Sequence, residues 1–256
     1  MKQPLMSLLA ALRFLTILPL SWRAEEDGQY FTGGLFFFPL IGLGIGGLCA
    51  LSAGLLGHIL PQSLVALAGI VMLAVISGCL HIDGLADTAD GLLSSRLRAE
   101  KLVIMRDSHI GAMGVIAIVF VMGGKYAALS ALSPGLLLPA LLLMPIAGRC
   151  AIVLSMAILP YARTEGGLGK LFYSQNTRRA AWLSAVSFMA VLGLSVTFSL
   201  CPWQIAVCLM AMLSTTVLLF AGWCRRSLGG ATGDTLGAVC ELAELMTVVA
   251  LNVSLY

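Results

Sequence analysis

FTGGLFFFPLIGLGIGGLCALSAGLL, Phe31 to Leu56, runs for 26 residues without a charged side chain. An α-helix needs about 20 mostly apolar residues to cross the hydrocarbon core of a bilayer. This stretch alone makes the chain a membrane protein, and the composition agrees. Of the 256 residues, 59% are hydrophobic and 11% charged, against about 25% charged in a typical soluble domain. Too few polar groups remain to coat a soluble globule. The length suits one integral membrane domain over residues 1–256. The formal charge of +3 gives no reason to expect nucleic-acid binding. The seven cysteines form no CxxC pair and no zinc spacing, and Cys49, Cys79 and Cys208 sit in apolar runs as small core residues.

Six more apolar stretches follow the first span, at 63–80, 110–131, 136–158, 180–200, 204–222 and 237–256. The expected architecture is an all-α, polytopic membrane helix bundle of about seven transmembrane helices. The opening MKQPLMSLLAALRFLTILPL has a basic start and an apolar run, as a signal peptide does. Arg13 interrupts that run and no clear small-x-small cleavage site follows, so an N-terminal interfacial helix fits better.

The connections alternate in character. GHILPQ, SPG and CPW are short and lack Lys and Arg. The N-terminal arm carries Lys2, Arg13 and Arg23; the other connections carry Arg96, Arg98, Lys101 and Arg106, then Arg163, Lys170, Arg178 and Arg179, then Arg225 and Arg226. The positive-inside rule places the N terminus and these three loops in the cytoplasm and the C terminus outside.

The twelve acidic residues are also unevenly placed. Glu25, Glu26 and Asp27 read as a solvated cluster in the arm. The segment HIDGLADTADG, His81 to Gly91, holds Asp83, Asp87 and Asp90 at i, i+4 and i+7. On a helix these share one face, and like charges at that spacing repel. A divalent cation is the natural compensation, since Mg²⁺ prefers carboxylate and water oxygens and completes its shell with substrate phosphates. The alternative is a solvated acidic helix end.

GDTLGAVCELAE places Asp234 at the start of the last span, as either an N-cap or a site residue, and Glu241 and Glu244 inside it. Lys125 and Arg149 lie inside the third and fourth spans, where either could pair with those glutamates or bind phosphate. In RDSHIGAMG, Asp107 or Ser108 is placed to cap the third span. Alternatively, Asp107 serves as a further acidic ligand and Arg106 as a phosphate contact. His81 and His109 flank the acidic loop, as structural residues or as bases. RTEGGLGKLF is Gly-rich but lacks the phosphate-loop pattern.

HIDGLADTADG, RDSHIGAMGV and GDTLGA with the downstream glutamates resemble the cobalamin synthase family of adenosylcobinamide-GDP ribazoletransferases. LRFLTILPL and GGLFFFPLIGLGIG are similar to that family's opening, so the resemblance covers nearly the whole chain. It implies a multi-pass enzyme of the cytoplasmic (inner) membrane that requires Mg²⁺. The substrates it implies are adenosylcobinamide-GDP and α-ribazole or α-ribazole 5′-phosphate, with GMP released. Association with other enzymes of the cobalamin pathway is left open.

On this reading Asp83, Asp87 and Asp90 are the metal set, and Asp107 and Asp234 complete the catalytic carboxylates. Arg106, Lys125, Arg149, Glu241, Glu244 and His81 contact substrate, the glutamates serving alternatively as further ligands or base. A CDP-alcohol phosphotransferase would need an Arg where Asp87 stands, and a prenyltransferase a second paired-aspartate motif. A cation-coupled transporter, which would use Lys125, Arg149 and Glu241 as its pathway, would show related halves.

Overall fold

The computed structural model describes residues 2–19 and 27–253. Arg23, Glu25 and Glu26 of the arm fall outside the described residues. The architecture is all-helical, and the isolated parallel bridge between Tyr161 and Ala231 is the one β-type pairing among the described residues.

Helix α1 (Lys2–Leu15) buries Ser7, Ala10, Ala11 and Leu15, one face at helical spacing. It lies against a helical lead-in at Phe31–Phe37 and against α2 (Phe38–Leu56). Its Arg13 donates from Nε to Asp27 Oδ2 at 2.8 Å and from Nη2 to Asp27 Oδ1. Asp27 is thus buried and paired, not part of a solvated cluster. Arg13 is the residue that broke the apolar run in sequence, and here it fastens the arm to the bundle.

The central helix is α7 (Pro134–Ile158), buried along most of its length and packed against α2, α8 (Thr177–Thr197), α9 (Trp203–Leu228) and α10 (Gly233–Val253). Gly42 and Gly46 of α2 let the two backbones meet. A Cβ on Gly42 would come within 2.7 Å of the Pro145 carbonyl, and one on Gly46 would overlap the Leu142 carbonyl. Small residues at i and i+4 serve membrane helices this way because van der Waals contact replaces the hydrophobic driving force.

Six helices or helical runs are long and apolar enough to span: 31–56, 112–131, 135–158, 177–197, 203–228 and 233–253. The second expected span, 63–80, is interrupted, so the described residues hold six such spans, or seven if the bent helix pair at this place counts as one. It becomes α3 (Gln62–Ile76), only 15 residues, followed by α4 (Leu80–Leu92) bent away by 88°. Gly78 (φ 58°) and Cys79 (φ 56°) make the elbow. Cys79 N donates to Ala74 O at 2.9 Å and Gly78 N to Val75 O at 2.9 Å, the paired closure of a Schellman stop. Cys79 is therefore an exposed turn residue rather than a core one. A non-glycine residue pays about 1–2 kcal/mol for the left-handed region, so the surrounding packing must hold the bend.

The turn lays α4 across one end of the bundle, off the axis of the spans. It packs on the first turns of α6 (Ala112–Ala131) and of α10. The short α5 (Arg98–Ile104) follows it. At the opposite end, Gln62 at the start of α3 donates to the Leu129 carbonyl at 3.2 Å and also to that of Leu132, closing the last turn of α6. The sixth expected span, 204–222, runs on to Leu228, where Gly229 (φ 74°) ends α9.

Candidate active site

The site grows from α4. Gly84 sits where a Cβ would lie 2.8 Å from the Asp234 carbonyl oxygen, and Gly237 where one would lie 3.2 Å from the His81 backbone. Two glycines thus let α4 and α10 cross in backbone contact, and this brings Asp83 and Asp87 beside Asp234. Thr232 caps α10. Its Oγ1 accepts from Thr235 N at 3.2 Å, and Thr235 Oγ1 accepts from Thr232 N at 2.8 Å. With the cap supplied there, Asp234 is free to take another partner, which it finds in Arg163 (Nη2 to Oδ2, 2.7 Å).

Arg163 reaches Asp234 because the strand-like bridge runs beside the start of α10. Ala162 N donates to Ala231 O and Ala231 N to Pro160 O, both at 2.8 Å. Arg163 Nη2 also reaches the Met105 carbonyl at 3.3 Å, while its buried Nε has no hydrogen-bond partner among the described residues.

The three aspartates of α4 have different surroundings. Asp90 accepts from the backbone amides of Gly111 (2.7 Å) and Gly114 (2.9 Å), and so caps α6 from another helix. Asp107 and Ser108 do not serve as that cap: the N-cap position belongs to Gly111. Asp83 is exposed and Asp87 half-buried, and neither is engaged by a protein donor among the described residues. Burial, then Asp234, Asp83 and Asp90, push the Asp87 carboxyl up to about 7, with Arg163 opposing. Burial likewise raises the Tyr161 hydroxyl.

A cavity of about 270 Å³ opens here. Asp83, His81, Tyr161, Arg163 and Asp234 supply its polar groups, and Phe14, Phe38, Phe172, Ile152 and Met156 its apolar wall.

The remaining expected site residues lie elsewhere. Lys125 Nζ donates to Glu241 Oε2 and Glu244 Oε2, both at 2.6 Å; Arg149 donates to Glu244 Oε1 at 2.5 Å and to Ser77 Oγ at 2.7 Å. All four charged groups are buried inside the bundle, two cations against two anions, and none lines the cavity. Their pairing is the alternative that the sequence held open. Arg106 meets Glu165 at 2.7 Å and Asp107 meets His109 at 2.6 Å, both pairs exposed and outside the cavity lining. The His109 hydrogen bonds hold Asp107 below the usual carboxylate range. Arg163 stood out in the sequence only as a basic residue of the Gly-rich loop, whose pattern matched no phosphate-binding motif, and Tyr161 and Phe172 were not singled out.

Among the described residues no three His, Cys, Asp or Glu side chains converge as a metal held by protein alone requires. The donor set still suits Mg²⁺, which is commonly bound by one or two carboxylates and fills its other positions with water and substrate phosphate. Asp83 and Asp87 supply hard oxygens with no competing protein donor, and their crowding with Asp234 is a charge that a cation relieves.

Fold and site together define a multi-pass membrane protein with a carboxylate-and-arginine cavity at one end of its bundle. The chain belongs to the cobalamin-5-phosphate synthase family, whose model matches residues 7–252. It is 40% identical to an adenosylcobinamide-GDP ribazoletransferase of Syntrophobacter fumaroxidans over 94% of this chain and 95% of that one. A relative of the same name from Roseiflexus is 38% identical, covering 95% and 88%. Another, from Shigella dysenteriae, is 37% identical, covering 94% and 97%. No solved structure matches the chain significantly.

Proposed function

We propose that this protein is an adenosylcobinamide-GDP ribazoletransferase acting in cobalamin synthesis. A ribose-ring hydroxyl oxygen, free in both α-ribazole and its 5′-phosphate, attacks the phosphorus that carries cobinamide. A new P–O bond forms, the bond to the bridging oxygen breaks, and GMP leaves with that oxygen. The hydroxyl proton passes to a carboxylate of the site or to water. The family membership and the relatives' names support the reaction. The structural observation that carries the assignment of the site is Asp83 beside the Arg163–Asp234 pair in the lining of one cavity, with the uncommitted Asp87 one helical turn along α4 from Asp83.

Each group then has a task. Asp83 and Asp87 would hold Mg²⁺, which when bound neutralises charge on the diphosphate oxygens. Arg163 offers guanidinium N–H groups to the leaving phosphate, and Asp234 orients that guanidinium. Asp90 positions the start of α6. Lys125, Arg149, Glu241 and Glu244 form a neutral internal lock joining α6, α7 and α10 to the α3 elbow through Ser77. The basic end, where α4 and the cavity lie, faces the cytoplasm by the positive-inside rule, in the inner membrane.

The test is turnover by the detergent-purified protein with adenosylcobinamide-GDP and α-ribazole. We expect adenosylcobalamin and GMP to form in equal amounts, EDTA to abolish the reaction and Mg²⁺ to restore it. Product formation insensitive to EDTA would remove the metal from this account, and no product beside an active control enzyme would remove the activity.

A further inference from the structure

We propose that the aromatic wall of the cavity seats the flat base of the incoming nucleoside, directing a ribose-ring hydroxyl toward Asp83 and Asp234. This rests on the ribazole-transfer reading and says which substrate enters here. The wall joins three distant parts of the chain. Phe172 lies 4.7 Å from Phe14 of α1 and 5.5 Å from Phe38 of α2, ring centre to ring centre. Ile152 and Met156 of the central helix complete it. Such a surface takes a planar aromatic ring by dispersion and by burying apolar area.

The chemistry discriminates between the base of the incoming nucleoside and the purines of the other substrate. Guanine carries several donors and acceptors on one edge, and each would lose its water against phenylalanine, leucine and methionine. The benzimidazole of a ribazole has two methyl groups and a single free ring nitrogen. One polar side chain is buried in the lining without any protein hydrogen bond among the described residues: His81, 3% exposed. One imidazole N–H matches one ring nitrogen. The carboxylates and Arg163 belong to the same cavity, so a nucleoside seated with its base on the wall has its ribose end among the charged groups.

The full-length protein in detergent with Mg²⁺ tests this by steady-state kinetics on three nucleosides: α-ribazole, the riboside of unmethylated benzimidazole, and α-adenosine. Met156→Trp fills the cavity, and Ile152→Phe fills it more gently should the first variant fail to fold. Phe172→Ala enlarges it. Filling is expected to raise KM for α-ribazole about tenfold while favouring the smaller unmethylated base, since one or two methyl groups shift selectivity by roughly that factor. Enlarging should weaken both and narrow the preference between them. His81→Ala should reduce discrimination against α-adenosine. KM for adenosylcobinamide-GDP should stay within twofold throughout.

The proposal is overturned if the filling variants leave nucleoside KM unchanged, or raise KM for adenosylcobinamide-GDP instead. Wild-type protein that makes no product from any nucleoside would overturn the activity as well. The two failures are therefore distinguishable.

Discussion

The carboxylate of Asp90 accepts the backbone amide of Gly114 at 2.9 Å, across 24 positions of sequence. With the Gly111 amide on its other oxygen, it closes the open end of α6 from a neighbouring helix. The side chain lies on the same face of α4 as Asp83 and Asp87 but does a different job. Spacing groups the three aspartates; their partners separate them.

That separation is measurable. Asp90→Ala should lower stability by about 1–2 kcal/mol, the usual loss for a helix cap, with activity falling alongside. Asp83→Asn and Asp87→Asn should abolish turnover while leaving the unfolding free energy in detergent within about 1 kcal/mol of wild type, as exposed or half-exposed substitutions do. Normal turnover in both Asn variants at limiting Mg²⁺ would sink the metal assignment.

Arg163 and Asp234 should behave as a unit. Arg163→Ala is expected to cost about 100-fold in kcat/KM, the scale of losing one donor to developing charge. Arg163→Lys should recover part of it, since charge remains but the fork geometry does not. In a double-mutant cycle with Asp234→Asn, the coupling should be about 0.5–3 kcal/mol. Strictly additive losses would show that the 2.7 Å contact does not orient the guanidinium.

The buried lock makes an asymmetric prediction. Glu244 holds both Lys125 and Arg149, whereas Glu241 holds Lys125 alone. Glu244→Gln strands Arg149, leaves Lys125 with Glu241 alone, and should destabilise by about 3–5 kcal/mol, the cost of breaking a buried pair. Glu241→Gln leaves Lys125 with Glu244 and should cost less. Denaturant unfolding in detergent reads both, and equal losses would mean the two glutamates are not distinguished by their partners.

Orientation can be checked with reporter fusions. A reporter joined after Glu165, beside the cavity, should be active only if it works in the cytoplasm. One joined after Ser199, in the short connection between α8 and α9, should be active only if it works outside. The reverse pattern would invert the bundle and place the cavity on the outer face.

Membrane class, helical fold and most of the spans were legible in the sequence, because partition into a bilayer depends on runs of local composition. The basic loops and the aspartate spacing were legible for the same reason: each is a pattern along one segment. The elbow after Ile76 was not, since SGCL reads as a continuing apolar run, and only its left-handed Gly78 and Cys79 turn α4 through 88°. Nor could periodicity assign the partners of Asp90, Arg163, Lys125 or Glu244, which lie 21 to 119 positions away. Those pairings follow from where Gly84 meets Asp234 and Gly42 meets Pro145. Close approach of two backbones is a property of packed helices in three dimensions, and it decides which carboxylates face a substrate and which are locked inside.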